Sequence, residues 1–180
     1  MDQKMKELFT DIPVLRSGEL CLRQLTDADA EDLKQLTMED RVYLFLPTFL
    51  FEKKYADIRE VIRRLYDEGL DDSLILGVFR NGRFCGLAEV YGYRAAIRKV
   101  SVGYRLLEEV WGQGIATEAL RLMTEELLNN RGIEIITAST MIENQASAHV
   151  LQKNGFTLVN HNVGEDWGYP EPTPSDKWIR

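Results

Sequence analysis

Cysteine is scarce in this chain: Cys21 and Cys85 are the only two in 180 residues. Both lie in alternating apolar segments, where a thiol acts as a small hydrophobe, and two thiols cannot build a disulfide framework. Histidine is equally rare, and His149 and His161 stand far from either cysteine. No Cys/His spacing of a zinc site results, so no metal is expected. Long apolar runs are missing as well: nothing approaches the ~18 residues of a membrane span, and the opening MDQKMKELF mixes charge with apolarity unlike a secretion signal. The expectation is a soluble, cytoplasmic protein with no membrane partner. Positive charge is the last deficit, 22 basic against 29 acidic residues and a net charge of -7. That balance speaks against a reader of nucleic-acid backbones.

What remains suffices for one substantial core. With 44% hydrophobic residues in this length, a single α/β domain over residues 1–180 is expected. Residues 19–25 alternate as a half-buried strand, with Leu20, Leu22 and Gln24 on one face. Thr26 or Asp27 caps a following helix that turns Ala28, Leu33 and Leu36 inward. An aromatic and aliphatic run at 41–51 reads as core or as a substrate lid, and 55–66 as a helix with Ile58, Val61, Ile62 and Leu65 on one stripe. The clearest local feature is Asn81-Gly82 between the apolar runs 73–80 and 83–93. Such a pair predicts a type I′ hairpin, because both central residues must take positive φ. A third strand, 99–107, completes three consecutive antiparallel strands.

These strands feed Trp111-Gly112-Gln113-Gly114-Ile115-Ala116-Thr117-Glu118-Ala119. Two glycines one residue apart expose bare N–H groups, and the apolar spacing of Ala116, Ala119, Leu120, Met123 and Leu127 predicts a helix directly after them. Free amides and the positive end of a helix dipole then converge on one spot that suits a pyrophosphate. A Gly-X-Gly also serves close packing, and the residues alone leave both readings open. Asn130-Arg131-Gly132 stops this helix, 133–140 forms a buried strand, and 144–156 forms a helix with Ala146, Val150 and Leu151 inward. A strand at 156–161 follows, and the tail from 164 reads as an irregular loop returning to an edge strand.

The glycine turn, together with Asn144-X-X-Ser147-(five residues)-Lys153-X-Gly155-Phe156 about thirty residues later, resembles the GNAT superfamily of acetyl-CoA-dependent N-acetyltransferases. Gly103-Tyr104-Arg105-Leu106 and the two motifs are similar to its RimJ/RimL-like branch of ribosomal-protein alanine acetyltransferases. The resemblance implies an α/β (α+β) fold with a mixed, mostly antiparallel central sheet, splayed between the strands at 99–107 and 133–140 and flanked by about four helices. Acetyl-CoA would occupy the wedge. Its pantetheine arm would pair with backbone near Tyr104 and Leu106, and its pyrophosphate would rest on the amides of Gly112, Gln113, Gly114, Ile115, Ala116 and Thr117. Asn144 matches the motif asparagine that contacts the cofactor arm, although a helix N-cap is its plainer role. Lys153 either reaches a CoA phosphate or decorates the helix end.

Three positions depart from that pattern. Trp111 replaces an Arg or Gln that donates to phosphate, so backbone amides must carry recognition there. Ser101 stands where many members place the general base, and Leu151 where many place the tyrosine that protonates the leaving thiolate. Ser147 is then the nearest hydroxyl for the acid role. Glu89 is the candidate base, with Glu165 or Asp166 behind it. The implied activity is acetyl transfer to a primary amine, a protein N-terminus or a small amine; an acyl-CoA-binding sensor that has lost chemistry is the alternative. The acceptor's identity and the choice between monomer and homodimer stay open.

Overall fold

The computed structural model describes residues 5–45 and 56–180. Much of the apolar run at 41–51, and Tyr55 at the start of the second expected helix, lie outside the described residues. One sheet of eight strands organises the molecule: β1 (Leu15–Ser17), β2 (Leu20–Arg23), β3 (Ser73–Arg80), β4 (Arg83–Arg94), β5 (Lys99–Leu106), β6 (Ile135–Met141), β7 (Thr157–Glu165) and β8 (Thr173–Ile179), in spatial order β1-β2-β3-β4-β5-β6-β8-β7. Every pairing is antiparallel except β5 with β6. Six α-helical segments occur among the described residues: α1 (Met5–Leu8), α2 (Ala30–Thr37), α3 (Asp40–Tyr43), α4 (Ile58–Asp67), α5 (Ile115–Asn130) and α6 (Gln145–Lys153). The four that reach eight residues are α2, α4, α5 and α6.

The hairpin forms as its turn dictates, with Asn81 at φ 52 and Gly82 at φ 78. It sets β3 against β4 in the middle of the sheet, where Leu74, Leu76, Val78, Leu87 and Val90 are all buried. Helix α5 lies against β1, β2 and β5, while α2 and α4 lie against β4 and β3 respectively.

The decisive geometry is at β5 and β6. They pair only through Lys99↔Ile135, Val100↔Ile136 and Ser101↔Thr137, and the Ser101 and Thr137 hydroxyls share a hydrogen bond of 2.8 Å at the last rung. From Val102 to Leu106, β5 keeps β4 as its one paired neighbour among the described residues. The open edge presents backbone groups to the wedge, the splay that the resemblance implied.

Four expectations need correction. Gln24 is exposed and Leu25 buried, because β2 ends at Arg23 and its alternation stops there. Ala28 is exposed and Ala30 inward, since residues 27–29 form a tighter 3-10 turn before α2 and change the phase. In α6 the inward stripe is Ala148 and Leu151, with Val150 half-buried against the core as expected and Ala146 exposed. The tail does not finish at an edge: β8 inserts between β6 and β7 and leaves β7 outermost.

Candidate functional site

Gly112 and Gly114 take φ 72 and 79, left-handed values that glycine adopts without strain. A Cβ added to either would meet nothing within 4 Å. Close packing therefore does not account for them, and the space above the turn is open to a ligand. Gly114 is the N-cap of α5, whose first intrahelical bond joins the Glu118 amide to the Gly114 carbonyl at 3.1 Å. The amides of Ile115, Ala116 and Thr117 precede that bond and have no intrahelical acceptor. Together with the helix dipole they make a concave, positively polarised surface.

This surface forms one end of a cleft of about 330 Å³ between β5 and α6. Gly112, Gly114, Ile115, Ala116 and Thr117 line that end, Tyr104 and Leu106 line the wall from β5, and Asn144, Ser147 and Lys153 line the wall from α6. The structure thus brings together ten of the fourteen residues named from the sequence as cofactor-binding, acid or base candidates. Gln113 is not among the lining residues: its Oε1 accepts from Arg80 at 2.6 Å and its Nε2 donates to the Glu109 carbonyl at 2.9 Å. Its side chain belongs to a separate small cavity with Arg80, Arg83 and Cys85. Glu89 also lies elsewhere.

The α6 wall is ordered by Asn144, whose Oδ1 accepts from the Ser147 amide at 3.2 Å. The N-cap role is therefore present in a residue that also faces the cleft. Ser147 Oγ in turn accepts a hydrogen bond of 3.0 Å from the Tyr104 hydroxyl. Burial pushes Tyr104 up to about 12, with the bond to Ser147 opposing it, so the phenol stays protonated near neutral pH. Leu151, standing where the family pattern often has a tyrosine, is only 3% exposed and belongs to the core. Trp111 donates its indole N–H to the Leu106 carbonyl at 2.9 Å. It pins the turn to the end of β5 and offers no further donor to an anion.

Glu89 sits on β4 opposite Gly103 of β5 and faces a second cavity of about 190 Å³. Glu165, Asp166, Tyr91, Ser139 and Trp167 share that cavity, and Tyr104 and Arg105 line both spaces. Three carboxylates thus meet the back of the strand that walls the cleft. Glu165 Oε1 accepts from Lys177 at 2.5 Å and from Ser139 at 3.3 Å, while its Oε2 is buried without a hydrogen-bond partner among the described residues. Burial, with the Glu89 and Glu165 charges adding to it, pushes the Tyr91 hydroxyl up to about 12.

Sequence reasoning reads 41–51 as core or as a substrate lid without singling out Arg41, Val42 and Phe45, which close the cleft beside the glycine turn. Four residues of helix carry no period to detect. It also missed the Tyr104 hydroxyl, whose partner lies 43 residues away in sequence. Among the described residues no group of three or more His, Cys, Asp or Glu could hold a metal, and no helix is long and apolar enough to cross a membrane.

Comparison with known proteins agrees with this geometry. Residues 19–157 match the acetyltransferase (GNAT) domain. YoaA of Bacillus subtilis (strain 168), an uncharacterized N-acetyltransferase, is 26% identical over 168 residues, 91% of this chain and 93% of that protein. YjcK of the same organism, a probable N-acetyltransferase, is 28% identical over 150 residues, 79% of this chain and 83% of that one. Among solved structures, RimL, a ribosomal L7/L12 α-N-protein acetyltransferase in complex with coenzyme A, superposes with a TM-score of 0.78 at 19% identity, covering 93% of this chain and 97% of that one. The spermidine N-acetyltransferase of Vibrio cholerae in complex with CoA and spermine gives 0.74 at 18% identity, covering 91% and 96%. These two share the fold. The matched span holds the hairpin, the splayed strand, the glycine turn and α6 together, and by that match the chain belongs to the GNAT acetyltransferase family.

Proposed function

We propose that this protein moves an acetyl group from acetyl-CoA to a primary amine by direct attack within a ternary complex. The observation that carries the reading is the meeting of two cavities at Tyr104, one with an anion cradle and a hydroxyl pair, the other with carboxylates. The cradle at Gly112 to Thr117 suits the diphosphate, and the open edge of β5 near Tyr104 and Leu106 suits a strand-like pantetheine arm. That arrangement directs the thioester toward the end of α6 that carries Ser147.

The acceptor enters from the acidic side. Its nitrogen must be neutral to attack, and an α-amino group with a pKa near ~8 yields its proton far more readily than a lysine near ~10.4. Glu89 takes that proton, with Glu165 and Asp166 facing the same space. The nitrogen bonds to the thioester carbonyl carbon, whose oxygen is held by a backbone amide of the β5 edge. The C–S bond then breaks as the departing sulfur takes the Ser147 hydroxyl proton, and Ser147 Oγ, held by the Tyr104 hydroxyl, recovers a proton from the nitrogen that its attack has left cationic. No bond to the protein forms.

RimL acts on a ribosomal protein N-terminus, and the Vibrio neighbour is a spermidine N-acetyltransferase. Both acceptors are amines, so the acceptor class here is a protein N-terminus or a small amine. Incubation of purified protein with acetyl-CoA and an amine panel, read by free thiol and product mass, tests the activity. Acetylated amine with stoichiometric thiol supports transfer. Tight acetyl-CoA binding without turnover on any amine would instead favour a sensor, the reading that Leu151 and Ser101 motivate.

A further inference from the structure

We propose that Arg41 is a side-chain ligand of the cofactor's diphosphate, reached by exchanging its ion pair with Glu108 for the phosphate oxygens. The inference rests on the acetyl-CoA reading and adds a residue that the glycine turn does not contain. Trp111, at the position before the turn, spends its single donor on the Leu106 carbonyl. A doubly charged diphosphate in the cradle then has amides and dipole beside it, with Glu108 and Glu109 adjacent in the chain. Arg83 pairs with Glu109 at 3.7 Å and Arg80 bonds Gln113, both outside the cleft, so a side-chain cation on the turn's side of the cleft has to come from another segment.

Arg41 is placed to supply it. It lines the cleft with Gly112 and Gly114, and its guanidinium lies 5.4 Å from the centroid of the Trp111 ring. The side chain is 67% exposed and pairs with Glu108, itself 43% exposed. Exposed ion pairs of this kind are weak and readily exchanged. The planar fork of arginine matches phosphate oxygens bidentately, where a solvated carboxylate holds it weakly.

The helix carrying Arg41 does not depend on that pair for its position. Glu39 Oε2 accepts from the Glu108 amide at 2.9 Å, and the Arg105 guanidinium lies 5.8 Å from the Tyr43 ring centroid. Release of Arg41 from Glu108 therefore leaves α3 docked on the turn. Lys153 stands on the opposite, α6 wall of the cleft, so the two cations flank the anion from both sides.

Calorimetry with CoA and with 3′-dephospho-CoA, on wild type, Arg41→Gln and Glu108→Gln, tests this directly. Arg41→Gln should bind both ligands about tenfold more weakly, the size of one lost charge-assisted contact. Glu108→Gln should bind both at least as tightly as wild type, because the competing carboxylate is gone. Unchanged affinity in Arg41→Gln overturns the proposal. Equal weakening in both variants overturns it in favour of simple docking of α3, and a loss seen with CoA but not with dephospho-CoA moves Arg41 to the 3′-phosphate. Failure of the wild type to bind CoA at all would remove the acetyl-CoA reading itself, and this role with it.

Discussion

The Tyr104 hydroxyl donates to Ser147 Oγ at 3.0 Å, tying the splayed strand β5 to the first turn of α6 across the cleft. Because Tyr104 is the donor, the Ser147 proton is left to point elsewhere, and the cleft lies beside it. Ser147→Ala should therefore lower kcat by about 100-fold, within the range for a positioned proton donor, while CoA affinity stays within about twofold. Tyr104→Phe keeps the ring and should lower kcat less, by about tenfold. Steady-state rates with calorimetry separate the two effects. Equal kcat in Ser147→Ala and wild type removes Ser147 from the mechanism.

The cradle yields a second prediction. Gly114→Glu puts a carboxylate where the space is open and should weaken CoA by more than tenfold. Any non-glycine residue also bears the left-handed φ of 79. Gly114→Asn, which tolerates that conformation, isolates the backbone cost. If Glu and Asn weaken CoA equally, charge at the cradle is not the cause.

A third concerns the base. Glu89→Gln should reduce kcat/KM by about 100-fold and remove the acidic limb of the pH–rate profile, whereas Glu165→Gln and Asp166→Asn should retain that limb. A limb that survives in Glu89→Gln and vanishes in Glu165→Gln would transfer the role to Glu165.

Stability at high pH supplies a fourth. Tyr91 and Tyr104 are both pushed up to about 12 from an ordinary value of 10.0, chiefly by burial. The unfolded chain loses these protons first, so their contribution is complete below pH 10 and is lost as pH rises toward 12. Urea unfolding at pH 9, 10 and 11 should show falling stability, and Tyr91→Phe with Tyr104→Phe should reduce the decline, the remainder coming from Tyr66, which burial also pushes up. An undiminished slope in the double variant would contradict the assignment.

The hairpin and the glycine turn before α5 are legible because their signals are local. Asn81-Gly82 needs two positive φ values in succession, and Gly112 and Gly114 stand directly before a helix with a regular apolar stripe. The strand β8 was harder to read, since Ser175 and Asp176 are buried within it and break the apolar alternation that marks a strand. What satisfies them lies far off in sequence or across a turn: Asp176 Oδ1 meets His161 at 2.7 Å, and Ser175 Oγ accepts from Trp167 at 2.8 Å. The candidate site divides the same way. Its glycines and the Asn144 cap are written in consecutive residues. The Tyr104–Ser147 bond, the placement of Glu89 beside Glu165, and Arg41 over Trp111 all depend on packing between distant segments.

The central claim is direct transfer between two substrates held at once, and it is tested most directly by rapid mixing of protein and acetyl-CoA with and without amine. Free thiol and the intact mass of the protein are followed together. Direct transfer predicts thiol release only when amine is present, one acetylated amine per thiol, and a protein mass that never gains an acetyl group. A stoichiometric burst of thiol without amine, with an acetyl group appearing on the protein, would contradict it.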